Sequence, residues 1–217
     1  RIFIAFDVSS SVLMGGSNQK IDESLEILDY IMNAAIKNGD QFGAFFFSDQ
    51  VYKKWISLGK GKKHAKKIIN RINSYRIENN KKTDLKKSFK EIIGLIKRRS
   101  LLLIFSDFQC QSNFKDELKR LGERHDVVLI KVSAKTEMEL PNLGLIQLED
   151  IEDRRDFLLD SSDPKIRESY NKEEEQKEKE LVELKKSRIG FFNFLVREDV
   201  YAKLKKFLKI RRVRMLR

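Results

Sequence analysis

One cysteine and two histidines in 217 residues leave this chain with few soft or borderline metal ligands and no second thiol for a disulfide. A zinc site of the usual ligand types is excluded on that count. A lone thiol fits a reducing compartment. No apolar run approaches the roughly 20 residues that a bilayer-spanning helix needs. The chain starts at Arg1 and passes straight into apolar residues, with no charged-then-apolar leader. It therefore reads as a fragment of a longer protein, without a secretory signal and cytoplasmic.

Charge, by contrast, is abundant. Charged residues make up 36% of the chain, hydrophobic ones 41%, and the net charge is +12. That balance describes a folded core with highly charged outer faces rather than a disordered chain. The length suits one full domain with a sizeable core and an appendage. The excess is uneven: residues 53–99 carry +14 and residues 197–217 carry +7, flanking an acidic middle. Such zones attract nucleic acid, anionic lipid or an acidic protein surface.

Continuous apolar runs mark strands buried on both faces. They are Ile2 to Phe6, Phe42 to Phe47, Leu101 to Phe105 and Val127 to Val132. Val51 to Ile56 is expected to pair antiparallel beside the second run. Between them, apolar residues at three- and four-residue steps predict helices: Ile21 to Ala35, Ala65 to Ile72, Leu85 to Ile96, and around Leu118 and Leu121. Leu145 to Leu148 and Phe157 to Leu159 read as a hairpin. The Lys/Glu-rich stretch from Asp163 to Lys186 reads as a solvent-facing helix held by pairs one turn apart. Gly190 to Val196 is a late strand, and Val200, Leu204, Phe207 and Leu208 mark a final helix with a basic outer face. The alternation predicts an α/β fold: a doubly wound, mostly parallel sheet with helices on both faces, an antiparallel edge strand and a C-terminal helical extension. The expected division is a domain over residues 1–160 and a C-terminal segment over residues 161–217.

Within that frame the opening stretch "RIFIAFDVSSSV" poses a chemical question, because a buried strand ends at once in Asp7, Ser9 and Ser11. Alternate residues of an extended turn aim their side chains the same way, so three oxygen groups converge. Hard oxygen donors with one or two carboxylates suit Mg²⁺ (or Mn²⁺), which keeps several waters. Two further oxygens stand at matching positions, Thr83 in "KKTDL" and Asp107 in "IFSDF". In open α/β sheets, ligands gather beyond the carboxyl ends of the strands. Each residue also has a plain alternative. Asp7 and Ser9 suit a turn, Thr83 suits a helix N-cap, and Asp107 suits a loop cap.

Asp7, Ser9, Ser11, Thr83 and Asp107 match the metal-ion-dependent adhesion site of von Willebrand factor A domains, which the sequence resembles. The resemblance implies that the two serines and the threonine contact Mg²⁺, that the aspartates act mostly through water, and that one position is left for an acidic residue of a protein partner. The stretches "NGDQFGAFFFSD", "LLIFSDFQ", "ELPNLGLIQLED" and "SSDPKIRESY" are similar to the bacterial family called domain of unknown function fifty-eight. That similarity implies a non-enzymatic assembly factor or adaptor working with a MoxR-type AAA+ ATPase. Val12 stands where that family commonly has Met, and Ala134 and Lys135 stand where it has Asp-Pro.

Other chemistries fail on spacing. "LGKGKKHAKK" lacks the phosphate-loop pattern. Ser9 stands where an aspartyl-nucleophile phosphatase needs its second carboxylate. Cys110 has no activating base nearby. His64 and His125, near helix ends, are expected at the surface. The rival function is nucleic-acid binding through residues 53–99 and the basic tail, where "YKKWI" and "RINSYR" mix cations with aromatics.

Overall fold

Every residue of the first two apolar runs is buried, as befits strands covered on both sides: β1 (Ile2–Asp7) and β2 (Phe42–Phe47). The computed structural model describes residues 1–9, 12, 18–78, 83–110, 112–134, 138–149, 156–184 and 189–206. Four more strands complete the main sheet: β3 (Ile56–Gly59), β4 (Leu101–Phe105), β5 (Asp126–Ser133) and, beyond the expected hairpin, β8 (Gly190–Leu195). The hairpin itself, β6 (Leu145–Glu149) and β7 (Asp156–Asp160), forms a separate two-stranded sheet. The main sheet runs β3-β2-β1-β4-β5-β8, parallel throughout except for the antiparallel edge strand β3.

Strict alternation sends neighbouring side chains to opposite cores. Ile4, Phe6, Phe42, Ala44 and Phe46 face one core, closed by α1 (Asn18–Lys37), α2 (Gly61–Glu78) and the helical residues 200–206, through Leu28, Ile68 and Leu204 among others. Phe3, Ala5, Phe45 and Phe47 face the other. There α3 (Leu85–Leu95), α4 (Lys115–Arg124) and the last turn of α5 (Pro164–Glu183) contribute Phe89, Leu118 and Leu181. Outside that contact α5 is held by ion pairs one turn apart, Glu168–Lys172, Glu173–Lys177 and Glu175–Lys179. No helix among the described residues is long and apolar enough to cross a membrane.

The edge strand departs from expectation. Pairing along the predicted Val51-to-Ile56 stretch shrinks to one bridge between Phe47 and Val51, and β3 begins only at Ile56. Exposed Lys53, Lys54 and Trp55 carry the chain around instead, because paired ammonium groups favour water over a sheet edge. β3 then runs unusually close to β2 at Gly43, where an added Cβ would lie 2.7 Å from the Ile56 carbonyl oxygen. Gly43→Ala is expected to push the edge strand away and cost about 1–3 kcal/mol, the usual range for overpacking. Urea melts of the two proteins check this; equal midpoints would show that the edge moves freely.

Candidate metal centre

The order of the strands places the first two acidic candidates. Chain order runs outward in both directions from β1, so the sheet reverses between β1 and β4, the position where doubly wound folds leave a crevice. Asp7 is the last residue of β1 and Asp107 lies two residues past β4. Both are buried, at 0% and 8% exposure.

Backbone hydrogen bonds carry this rim past the strand ends. Val8 N donates to Phe47 O at 2.8 Å, and Ser106 N donates to Ile130 O at 3.3 Å. Ser9 N turns back to Asp7 Oδ1 at 2.9 Å. The other oxygen, Oδ2, accepts from Ser106 Oγ at 2.6 Å. That hydroxyl in turn accepts from Phe108 N at 3.0 Å, and Gln109 N donates to Asp107 Oδ1 at 3.0 Å. Two successive side-chain-to-backbone turns require a tight reversal, and Phe108 supplies it at φ 57°. A bulky residue in the left-handed region costs of order 1–3 kcal/mol, and such strain persists only where the surroundings over-determine it.

Electrostatically the site holds more negative potential than it neutralises. Burial, followed by the neighbouring Asp107 carboxylate, pushes Asp7 up from 3.8 to about 7; the hydrogen bonds from Ser106 and Ser9 pull the other way. Lys20, itself buried, lines a small cavity with Ser106 and Asp107. Two crowded carboxylates whose negative charge is disfavoured suit a cation. Among the described residues no group of three or more His, Cys, Asp and Glu side chains could hold a metal ion. A cation here would therefore rely on two carboxylates, hydroxyls and water, an oxygen-only set suited to a hard ion.

Thr83 reaches the same rim by a different route. Asp84 N donates to Ser48 O at 2.9 Å and Ser88 Oγ to the same oxygen at 3.3 Å, pinning the start of α3 to the end of β2 beside Asp7. The N-cap of α3 is Asp84, whose Oδ1 accepts from Lys87 N at 3.0 Å. The capping role that was the plain alternative for Thr83 thus belongs to its neighbour, and Thr83 is buried at 9% exposure. Asp7, Ser9 and Asp107 come together, with Thr83 just before α3, whose start is tied to the chain leaving the adjoining strand β2. Ser11 lies outside the described residues. Ser106 is a member of this cluster that spacing did not single out; its position between a buried strand and Asp107 was the available signal.

His125 corrects the surface expectation. It is 3% exposed at the C-cap of α4, and burial together with Arg124 and Arg99 lowers its pKa. His64 turns Nε2 to Phe42 O at 2.8 Å, tying α2 to the sheet. Burial raises the Cys110 thiol, which contacts Ser112, so it is a poor nucleophile.

Comparison with known proteins then places the chain. The sequence profile of the family described as "Protein of unknown function DUF58" matches residues 1–180. The uncharacterized protein Rv1480 of Mycobacterium tuberculosis is 34% identical over 76 residues, covering 34% of this chain and 23% of its own. Among solved structures, an aerotolerance-related membrane protein from Bacteroides fragilis aligns over 96% of both chains at 11% identity, with a TM-score of 0.58. BatB from Bacteroides thetaiotaomicron aligns over 96% of both at 12% identity, with a TM-score of 0.54.

Proposed function

Given that the chain belongs to the DUF58 family and has a von Willebrand factor A-like fold, we propose that it is a protein-interaction module that presents Mg²⁺ to an acidic side chain of a protein partner. Asp7 and Asp107 would balance the charge and position waters. Ser9, Ser11 and Thr83 would supply inner oxygens. Mn²⁺, with similar ligand preferences, would substitute. The observation that carries the reading is the pair of buried carboxylates where the sheet reverses, with Asp7 pushed up to about 7. An incompletely protein-ligated cation in that position would accept one more carboxylate, and the protein would act by binding rather than by chemistry on a substrate. A MoxR-type AAA+ ATPase is the partner that the family resemblance suggests, with the chain acting as its adaptor or assembly factor.

Thermal melting tests the cation first. Mg²⁺ or Mn²⁺ added after chelator should raise the melting temperature, by about 2.7 kcal/mol of stabilisation at a hundred times the dissociation constant. The rise should vanish in Asp7→Ala. An equal rise in both proteins, or none in either, would defeat the assignment.

A further inference from the structure

A concentrated patch of positive charge lies beside the rim rather than on it. A groove of about 940 Å³ runs between α2 and the chain that links β2 to β3. Six cations line it: Lys53 and Lys54 from the linking chain, and Lys63, Lys66, Lys67 and Arg71 from α2. No carboxylate lines it, and none of the six forms an ion pair with a described residue. Lysines on an amphipathic helix are often merely solvated. Here, however, the tertiary fold brings a second basic segment against the first, and packing like charges together is unfavourable unless something negative offsets it.

The groove has direction as well as charge. Lys63, Lys66, Lys67, Asn70, Arg71 and Ser74 recur at three- and four-residue steps, so they share one face of α2. From Lys63 to Ser74, eleven steps of about 1.5 Å give that face a length of about 16 Å, with cationic steps about 6 Å apart. Alternate side chains of an extended peptide fall on one side about 6.6 Å apart, twice the 3.3 Å rise per residue. An acidic strand would therefore meet the lysines nearly in step. At the groove's upper end, the Tyr52 hydroxyl is 3.1 Å from Ser48 Oγ, and the Ser48 carbonyl holds the start of α3 beside Thr83. The groove thus leads to the rim that carries Asp7.

Nucleic acid fits less well. Binding of single strands combines phosphate contacts with rings on which bases stack. Tyr75 is 7% exposed, with its ring 5.5 Å from Phe46 and 5.0 Å from Tyr52. Trp55, the exposed ring of the linking chain, packs on Phe45, which belongs to the opposite core. The charge is present without an open stacking platform.

We propose that this groove binds an extended acidic segment of a protein partner. The proposal rests on the reading of the chain as a protein-interaction module, yet its charge–charge contacts need no divalent cation. The test is fluorescence anisotropy at low salt with a labelled oligoglutamate peptide and an oligothymidylate of equal charge, each in chelator and in Mg²⁺. Lys63→Glu/Lys67→Glu reverses two exposed groove charges, and Lys86→Glu/Lys90→Glu makes the same net change on exposed positions of α3. The expected result is peptide binding in chelator that weakens with salt. It should fall at least ~10-fold in the groove variant and less than ~3-fold in the α3 variant, the contrast a local rather than a whole-protein field predicts. Tighter binding of the oligothymidylate, equal losses in the two variants, or no peptide binding would overturn the proposal. Failure of the cation site alone would remove only the response to Mg²⁺ and leave the chelator result standing.

Discussion

In chelator, ionisation of Asp7 should remove stability on the order of 4 kcal/mol as pH rises from 4 to 8, a loss that Asp7→Asn should lack. The Asp7 carboxyl lies at about 7 in the folded protein and at 3.8 ordinarily. Between those values the folded state holds a proton that the unfolded state releases, so stability falls as pH rises through the window. Below 3.8 both states are protonated and above about 7 both are ionised, so this group adds no further slope. Three units at about 1.4 kcal/mol each give the magnitude. The groups that face it are Asp107, whose charge raises it, and the Ser106 and Ser9 donors, which lower it. Asp107→Asn should therefore bring the midpoint down partway. Urea melts at successive pH values measure the effect, and parallel profiles for the wild-type protein and Asp7→Asn would refute it. If a cation binds at this rim, Mg²⁺ must displace the proton, so its affinity should climb with pH and level off above about 7.

Ser106→Ala should weaken Mg²⁺ binding about 10- to 100-fold, the range typical of residues that orient a metal ligand without touching the metal. The hydroxyl donates to Asp7 Oδ2 and accepts from Phe108 N. Its removal frees the carboxylate to rotate and leaves a buried amide without its acceptor. Without metal, the loss of a hydrogen bond to a charged group should cost about 1.5–3 kcal/mol at pH 8. It should cost less at pH 5, where the carboxyl is protonated. Calorimetric titration with Mg²⁺ separates positioning from folding, since a merely structural serine would lower the melting temperature and leave the affinity unchanged. Unchanged affinity would remove Ser106 from the site.

Much of the architecture could be read from short-range pattern. Apolar runs of five or six residues located the buried strands, and three-and-four spacing located the helices, because both signals depend only on neighbouring residues. Part of the candidate site was legible for a related reason: Asp7, Ser9 and Asp107 stand at or just past the carboxyl ends of two parallel strands, and those ends share one rim. The less accurate expectations concern choices between neighbours. Thr83 and Asp84 are both good caps, and the sequence offers no means of choosing between them. The tie from Asp84 N to the Ser48 carbonyl seats Asp84 at the cap. Val51 to Ile56 has the β-branched and aromatic residues of a strand at its ends, yet the two lysines at its centre are exposed and the edge pairing begins later. His125 stands in a polar stretch at a helix end, yet the folded chain buries it.

What the sequence determined alone is therefore the set of elements, the class of fold and the chemical character of the rim, since each follows from periodicity and from which residues end a strand. The tertiary structure decided which distant groups meet. It buried Asp7 and set it beside Asp107, which is what raises its pKa, and it placed the Ser106 hydroxyl where its hydrogen bond pulls the other way. It also folded Lys53 and Lys54 onto the basic face of α2. Electrostatic coupling falls off with distance and grows with burial, and neither quantity exists along a chain until the chain has closed upon itself.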